Sequence, residues 1–280
     1  MKFITKIAVG TAIVFTLSSS AFADVAAGLE ALESRDLPKA AEQFNAAFEA
    51  GDGDGAFYLG RMAEFGVGLP ADLPRAAALY KVAAEKGSVR AMNRLGLMHL
   101  NGNGALQNYA KALELICGAA EEGDANAQFN CGNLYAQGKG ADKNLNKAVD
   151  FYRLASQQDH IAGTNFLALA TLGGSGTNQS EGESFKLFDK TAKLGNPLGL
   201  YQAGAMLADG KGTDKDLIKS HMYLNLAASR GHPSAAQLRS TIEGQMSQKE
   251  IEKAQSDAAN WTADTSAPED KKKKKGFFGR

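Results

Sequence analysis

The sequence predicts an all-α protein, a right-handed αα-superhelix (solenoid) of about five helix-turn-helix repeats with a helical cap at each end. Two observations predict this fold. Turn and helix residues recur every 36 residues without insertion or deletion, and each period contains two apolar helical patterns separated by a glycine-rich turn. A period of this length is too short for a propeller blade and fits one helical hairpin. Three columns keep the register: Gly51, Gly87, Gly123, Asp159, Gly195 and Gly231; Gly60, Gly96, Gly132, Ala168 and Gly204; and Gly66, Gly102, Gly138, Gly174 and Gly210.

Each repeat is predicted to contain two helices, which we call the A helix and the B helix. In the first repeat, the A helix is expected over residues 55–65 and the B helix over residues 74–86. A proline in the first turn of the B helix and Gly87 just past its last turn are typical helix boundaries. Apolar side chains fall at three- and four-residue spacing, so each helix has one apolar side that it cannot bury alone.

Small residues mark the place where the two helices of a hairpin cross. A glycine such as Gly60 lets the two backbones approach closely and leaves space beside it for a large side chain of the B helix. The aromatic residues that are predicted to fill this space are Tyr80, Tyr152 and Phe188.

The period divides the chain into caps and repeats. A shortened helical pair over residues 24–54 forms the predicted N-terminal cap, and residues 233–262 form the C-terminal cap. In the latter, Ser247 and Glu250 have the spacing of a capping box that opens a last helix, and Trp261 is expected to pack back on the last repeat. The five repeats are predicted over residues 55–88, 89–124, 125–160, 161–196 and 197–232.

One motif recurs in phase through the repeats. Its first copy comprises Tyr58-Leu59-Gly60, Gly66-Val67-Gly68, Asp72, Ala76 to Tyr80, Ala83-Ala84 and Gly87. This motif resembles the Sel-one-like repeat, a relative of the tetratricopeptide repeat, and the resemblance covers residues 55–232. It implies an αα-superhelix that serves as an adaptor for other proteins. The motif is specific for the fold and says little about the partner.

The first 23 residues are predicted to be a secretory signal peptide. Lys2 and Lys6 precede an apolar run from Ile7 to Leu17, and Ala21-Phe22-Ala23 provides small residues for cleavage before Asp24. An apolar run of about 11 residues is shorter than the roughly 20 that span a bilayer. We therefore expect an exported, soluble protein of the bacterial periplasm.

Composition limits the partners. The chain has 31 basic and 31 acidic residues, so its bulk charge does not favour nucleic acid. The two cysteines and four histidines lack the spacing of a metal site. We expect no cofactor, no metal and no nucleic-acid partner, and we expect a monomer.

The two cysteines lie at comparable heights in neighbouring antiparallel helices. Cys117 belongs to the predicted B helix of repeat 2 and Cys131 to the A helix of repeat 3, each seven residues from Asp124 in the intervening turn. An exported protein meets an oxidising compartment, so a disulfide is feasible if the two faces meet. Against this bond, Cys117 shares a column with Lys81, which is typical of a half-exposed position.

The predicted partner site is the concave groove. If the A helices line it, as in tetratricopeptide relatives, the columns that begin at residues 54, 57, 61 and 65 face inward. Amide side chains donate to and accept from a peptide backbone, and aromatic side chains supply contact area at low entropy cost. The alternative is a face that is merely solvated. The predicted contact residues are Phe57, Arg61, Arg90, Asn93, Asn126, Phe129, Asn133, Asn165 and Tyr201.

The carboxyl end differs in composition from the repeats. Residues 263–280 are predicted to be a disordered basic tail. It is expected to make weak contact with an anionic membrane surface, or alternatively to act only as a solubilising extension. The side chains that would make this contact are Lys271, Lys273, Lys275, Phe277 and Phe278.

These features favour a non-catalytic periplasmic adaptor or regulator that holds a protein or peptide in its groove. Exported family members include regulators of sensor kinases and factors for envelope maintenance, so the resemblance implies a role in envelope signalling or maintenance. The alternative is an enzyme, because cysteine-rich relatives have been linked to weak action on β-lactams or peptidoglycan precursors. Such chemistry favours a Ser-x-x-Lys motif, and Ser184 and Lys186 have the wrong spacing.

Overall fold

The computed structural model describes residues 25–264, which contain fourteen α-helices and no strand. The predicted signal peptide and the tail residues from Lys271 to Phe278 lie outside the described residues. The helices are α1 (Val25–Glu33), α2 (Leu37–Glu49), α3 (Gly53–Phe65), α4 (Leu73–Glu85), α5 (Val89–Asn101), α6 (Tyr109–Glu121), α7 (Ala125–Gln137), α8 (Leu145–Gln157), α9 (Ile161–Gly173), α10 (Glu181–Lys193), α11 (Pro197–Asp209), α12 (Leu217–Ser229), α13 (Ala235–Glu243) and α14 (Gln248–Ala259).

The helices form a helical solenoid, as predicted. Five hairpins, from α3–α4 to α11–α12, follow one another between a leading pair, α1–α2, and a closing pair, α13–α14. Each helix packs mainly on its neighbours in the chain. In addition, A helices of successive repeats contact one another directly; α3 contacts α5, and α7 contacts α9. B helices of successive repeats within the five make fewer such contacts. The A helices therefore lie on the inner side of the curved array and the B helices on the outer side.

The glycine column at the end of the A helices is explained by the helix ends. Gly66, Gly102, Gly138, Gly174 and Gly210 all adopt left-handed backbone angles, with φ between +66° and +72°. Such angles disfavour residues with a Cβ atom, and a glycine here ends the helix by donating its N–H to the last turn. An Asp, Asn or Ser side chain then opens every B helix, as the Asp72 carboxylate does by accepting from the Arg75 N–H at 2.9 Å.

The glycines at the helix crossings have no room for a side chain. A Cβ atom on Gly60 would lie 2.6 Å from Cε1 of Tyr80, and one on Gly132 would lie 2.6 Å from Cε1 of Tyr152. Phe188 lies in the same column and is fully buried. The predicted partnership between small A-helix residues and large B-helix side chains is confirmed.

The structure contains the disulfide bond that the sequence indicated as feasible. Cys117 on α6 and Cys131 on α7 are bonded, with their Cα atoms 5.1 Å apart. Cys131 is fully buried in the apolar core, and Cys117 packs partly buried against the same core. The bond joins repeat 2 to repeat 3, halfway along the array.

The C-terminal cap folds back on the last repeats. The capping box at Ser247 and Glu250 is formed, and Trp261 packs against the core shared by α9 to α12, as predicted. The guanidinium carbon of Arg230 lies 4.9 Å from the centre of the Trp261 ring. None of the fourteen described helices combines the length and the apolar character that a membrane span requires.

Candidate partner-binding groove

The inner side of the array presents one face of each A helix. On α3 this face contains Asp54, Tyr58, Arg61 and Phe65, because side chains three or four residues apart lie on the same side of a helix. The columns that begin at these four residues therefore share the face in every repeat. We call the residues of α3, α5, α7, α9 and α11 in these columns the inner face. A hydrogen bond connects two neighbouring A helices across this face: Arg90 of α5 donates to the Tyr58 hydroxyl of α3 at 3.0 Å.

One predicted column does not belong to this face. Phe57, Asn93 and Asn165 are only 6%, 9% and 3% exposed, so their assignment as partner contacts is wrong. The Asn93 carbonyl oxygen accepts from the Asn130 amide at 3.0 Å, and the Asn165 amide donates to Asn196 at 2.9 Å. The column of Phe57, Asn93 and Asn165 faces the next repeat. Each A helix packs against helices of its own repeat and of the adjacent repeat, so more of its circumference is buried than in a single hairpin.

The other two members of this column are half-buried and act mainly in ring packing. The Phe129 ring lies 5.4 Å from that of Phe166 and 6.0 Å from that of Tyr152, measured between centroids. The Tyr201 ring stacks on His232 at 4.0 Å. The Phe129 and Tyr201 side chains therefore lie at the border of the inner face.

The remaining predicted residues lie on the inner face. Arg90 and Asn126 are exposed, and Asn133 is half-buried, its carbonyl oxygen accepting from the Tyr152 hydroxyl at 2.8 Å. Arg61 is half-buried with its guanidinium carbon 4.8 Å from the centre of the Phe65 ring. These four side chains therefore remain predicted partner contacts.

The column that follows the predicted one in sequence is less buried. It contains Tyr58, Arg94, Asn130, Phe166 and Gln202, of which Phe166 is 41% exposed. Sequence reasoning missed this column and also Leu169, which lies one turn further along α9 and is 39% exposed. A signal was available in the side-chain chemistry. The buried column uses only aromatic and amide residues, whereas the less buried one mixes charged, aromatic and amide residues.

The inner face is charged in repeats 1 and 2. The Glu64 carboxylate accepts from the Arg94 Nε at 2.9 Å and from the Tyr80 hydroxyl at 2.7 Å, and a second Arg94 nitrogen completes a bidentate pair. Burial raises the pKa of Glu64, but the hydrogen bonds from Arg94 and Tyr80 outweigh it and hold the pKa below its ordinary value. Burial and the bond to Glu64 raise the pKa of Tyr80. The network keeps Glu64 ionised and Tyr80 a donor at neutral pH.

The inner face is uncharged in repeats 3 and 4. Neither α7 nor α9 contains an Asp, Glu, Lys or Arg residue. Phe166 and Leu169 stand exposed among amide side chains such as Asn130 and Asn133. Burial raises the pKa of the Tyr152 hydroxyl beneath them to about 12, so it too stays neutral. This stretch offers apolar area and amide hydrogen bonds, the contacts that an uncharged polypeptide segment uses.

A serine and a histidine of types common in active sites have structural roles here. The Ser184 hydroxyl is fully buried and donates to the Ala168 carbonyl oxygen at 2.9 Å, so a substrate cannot reach it. His160 opens α9, its Nδ1 accepting from the Gly163 N–H at 3.0 Å. Within residues 25–264, no three or more His, Cys, Asp or Glu side chains are arranged to hold a metal ion.

The repeats identify the family. The Sel1 repeat family model matches residues 53–88, 89–124, 125–160, 162–196 and 197–232. The chain belongs to the Sel1 repeat family, whose members are commonly protein–protein interaction scaffolds and typically non-catalytic. The first match begins at residue 53, where α3 begins, two residues before the boundary expected from the sequence.

Two solved structures share the fold. The protective antigen c5321 of uropathogenic Escherichia coli, which displays an SLR fold, is 28% identical with a TM-score of 0.74, over 85% of this chain and 54% of that one. A Sel1 repeat protein from Oxalobacter formigenes is 20% identical with a TM-score of 0.72, over 85% of this chain and 99% of that one. The second likeness concerns the fold alone.

A curated relative shares a shorter segment. The chitin synthase regulator SKT5 of Saccharomyces cerevisiae is 47% identical over 53 residues, which are 19% of this chain and 8% of that protein. The chain thus spans a small part of this relative and about half of the E. coli antigen.

Proposed function

We propose that this chain is a non-catalytic adaptor or regulator that binds an extended segment of a protein on its inner face. The observation that carries the proposal is the exposure of Phe166 and Leu169 on a stretch of A helices without charge, beside an arginine-bearing stretch in repeats 1 and 2. Exposed apolar side chains rimmed by polar groups are typical of interaction sites. The family membership supports a protein as the partner.

We further propose that the protein is exported to the periplasm of a bacterium. The charged and apolar runs of residues 1–23, followed by small residues, support export to a bacterial periplasm. A partner in the cell envelope follows from that location, and a regulatory role in envelope signalling or maintenance is the narrower form of the proposal. If it is right, the chain isolated from the native host begins at Asp24 and is released with the periplasmic fraction; an intact Met1 on the isolated protein argues against export.

Site-specific crosslinking in living cells tests the inner face. A photoreactive phenylalanine analogue is placed at Asn126, which is exposed on the inner face, and at Leu154, which is 42% exposed on the outer side of α8. We expect illumination to produce a discrete protein adduct from position 126 and none from position 154. Adducts of equal yield from both positions, or from neither, would remove the inner-face proposal.

The same adduct allows a quantitative test. Once the crosslinked protein is identified by mass spectrometry, its affinity is measured for the unmodified chain and for the double variant Phe166→Ala, Leu169→Ala. We expect at least a tenfold loss, because two central apolar contacts are removed. The matched control is Val82→Ala, Leu154→Ala, which removes two exposed apolar side chains from the outer helices α4 and α8.

A further inference from the structure

A second surface of the array carries exposed apolar side chains. The loops between the A and B helices, with the first turns of the B helices, lie together along one long edge of the array. We call residues 66–75, 102–111 and 138–147 of repeats 1 to 3 the loop edge. Five of the eleven large apolar side chains that are exposed in residues 25–264 lie on it: Leu69 (62% exposed), Leu73 (37%), Leu106 (89%), Tyr109 (42%) and Leu145 (36%).

The loops stack on one another, so these side chains form one continuous ridge. A Cβ atom on Gly104 would lie 2.4 Å from the Leu73 carbonyl oxygen, and one on Gly140 would lie 2.3 Å from that of Tyr109. Each loop therefore rests on the first turn of the preceding B helix. Leu106, in the middle loop, protrudes from this ridge with almost its whole side chain in solvent.

The loop edge is basic. It carries five basic side chains, Arg75, Lys111, Lys139, Lys143 and Lys147, against two acidic ones, Asp72 and Asp142, for a net charge of +3. Among the described residues only Lys111 of these five has an ion-pair partner, Glu114 at 2.6 Å. The Lys139 ammonium lies 5.8 Å from the centre of the Tyr109 ring, so charge and apolar surface are interleaved.

The opposite edge of the same repeats is acidic. It is formed by the turns from each B helix to the next A helix, residues 49–54, 85–90 and 121–126. These turns carry seven acidic side chains against two basic ones, for a net charge of −5. They are Glu49, Asp52, Asp54, Glu85, Glu121, Glu122 and Asp124, against Lys86 and Arg90. Repeats 1 to 3 thus carry opposite charge on their two edges, and a negative surface attracts the loop edge and repels the other.

We propose that the loop edge is a docking surface for an anionic lipid bilayer. Lysine is depleted in the cores of protein–protein interfaces, whereas lysines interleaved with protruding Leu and Tyr side chains are typical of surfaces that lie in the lipid headgroup layer. The ridge inserts Leu69, Leu106 and Tyr109 between headgroups, and the flanking lysines contact phosphates. The inner face stays open to the side, because it belongs to the A helices and the ridge to the loops.

Vesicle binding tests this surface. The full chain, expressed in a bacterium so that any amino-terminal processing takes place, is titrated with vesicles of phosphatidylglycerol and phosphatidylcholine, and with vesicles of phosphatidylcholine alone. We expect binding to the anionic vesicles only, and its loss in high salt. The triple variant Leu69→Ser, Leu106→Ser, Tyr109→Ser should bind at least about tenfold more weakly. Its control, Val82→Ser, Leu154→Ser, removes exposed apolar side chains elsewhere and should bind as the unmodified chain does.

Charge variants separate the edge from the tail. Lys139→Gln, Lys143→Gln should weaken binding roughly fivefold for each cation removed, and Lys81→Gln, Lys86→Gln on the outer side and acidic edge should not. The tail variant Lys271→Gln, Lys273→Gln, Lys275→Gln should retain most of the binding. Binding that survives the triple edge variant, or that disappears with the tail variant alone, overturns the proposal. So does self-association or protein capture through the ridge without vesicle binding.

Discussion

Two joints in the array connect successive repeats through different chemistry at their A helices. Between repeats 1 and 2, the Glu64 carboxylate accepts from Arg94 of the next A helix and from Tyr80. Between repeats 4 and 5, the neutral Asn165 amide donates to Asn196 at 2.9 Å and its oxygen accepts from the Thr191 hydroxyl at 2.7 Å. Both joints satisfy their buried polar atoms, one with an ion pair and the other with amides.

The second joint does use a carboxylate, but on the outer side. Asp189 of α10 accepts from Lys193 at 2.7 Å, from Lys219 at 3.2 Å and from the Tyr223 hydroxyl at 2.8 Å. Burial raises the pKa of Asp189, but these bonds outweigh it and lower the pKa. Both joints therefore contain charged groups, whereas the A helices of repeats 3 and 4 contain none. A shared repeat geometry thus leaves the chemistry of the groove to vary along its length.

The largest effect should come from the disulfide that lies between the two joints. Replacing Cys117 by Ser and Cys131 by Ala removes a crosslink over 14 residues, which should cost about 3 kcal/mol of unfolding free energy. Because each repeat contacts only its neighbours, loss of this link should also let the two halves unfold in separate steps. Urea unfolding followed by circular dichroism measures both. Reduction of the unmodified chain with dithiothreitol should give the same curve, and a single unshifted transition would contradict the prediction.

The next effect concerns the charged joint. Glu64→Ala leaves Arg94 and the Tyr80 hydroxyl without their acceptor and should destabilise the chain by roughly 2 to 3 kcal/mol. The matched control is Glu85→Ala, which breaks an exposed pair with Lys81 and should cost less than about 0.5 kcal/mol. Hydrogen exchange should localise the loss to α3 and α5. Equal destabilisation by the two variants would mean that the network does not join the repeats.

The repeat itself could be read from the sequence because its signals are local. Gly138 marks a left-handed helix end, and Gly132 marks a crossing where a Cβ atom would meet Tyr152; each requirement is met within one hairpin. The residues of the inner face could be predicted from the sequence only in part. Arg90 and Asn126 are exposed as predicted, but Asn93 is buried, because the rotation of an A helix is set by contacts with a repeat more than 30 residues away. A shift of one residue turns a helical position by about 100°, enough to exchange surface for interior.

The amide contact of the second joint offers a smaller and more selective effect. Asn165→Ala removes the amide that donates to Asn196 and the oxygen that accepts from the Thr191 hydroxyl, and it should cost about 1 to 2 kcal/mol without direct effect on partner contacts. The Thr191 hydroxyl keeps its bond to the Phe188 carbonyl oxygen at 3.1 Å, and the Asn196 oxygen still accepts from the Gly199 N–H at 3.0 Å. Asn126→Ala removes an exposed amide and should change stability by less than about 0.5 kcal/mol while weakening partner binding. Thermal unfolding and the affinity for the crosslinked partner measure the two properties. If Asn165→Ala weakened binding and left stability unchanged, the assignment of the two columns would have to be reversed.

The smallest expected effect is a dependence of stability on pH, which distinguishes the Glu64 contact of the first joint from the Asn165 contact of the second. The folded-state pKa of Glu64 lies below its ordinary value of 4.5, so between these values the unfolded chain binds more protons. Stability should therefore be fully present above about pH 5 and should fall as the pH drops through 4.5 toward the folded-state pKa. Asp189 adds a fall of the same sign at the outer side of the other joint. Urea midpoints measured from pH 6 down to pH 3 record the slope.

Variants assign this slope to residues. Glu64→Gln and Asp189→Asn should each be less stable at neutral pH and should each lose stability less steeply in acid, because one titrating group is gone. Asn165→Ala should lower the whole curve and leave its slope unchanged, since no side chain of that amide contact titrates in this range. A Glu64→Gln curve parallel to that of the unmodified chain would show that the carboxylate is not held ionised by Arg94 and Tyr80. The difference between the Glu64 contact and the Asn165 contact would then be one of geometry, without an electrostatic component.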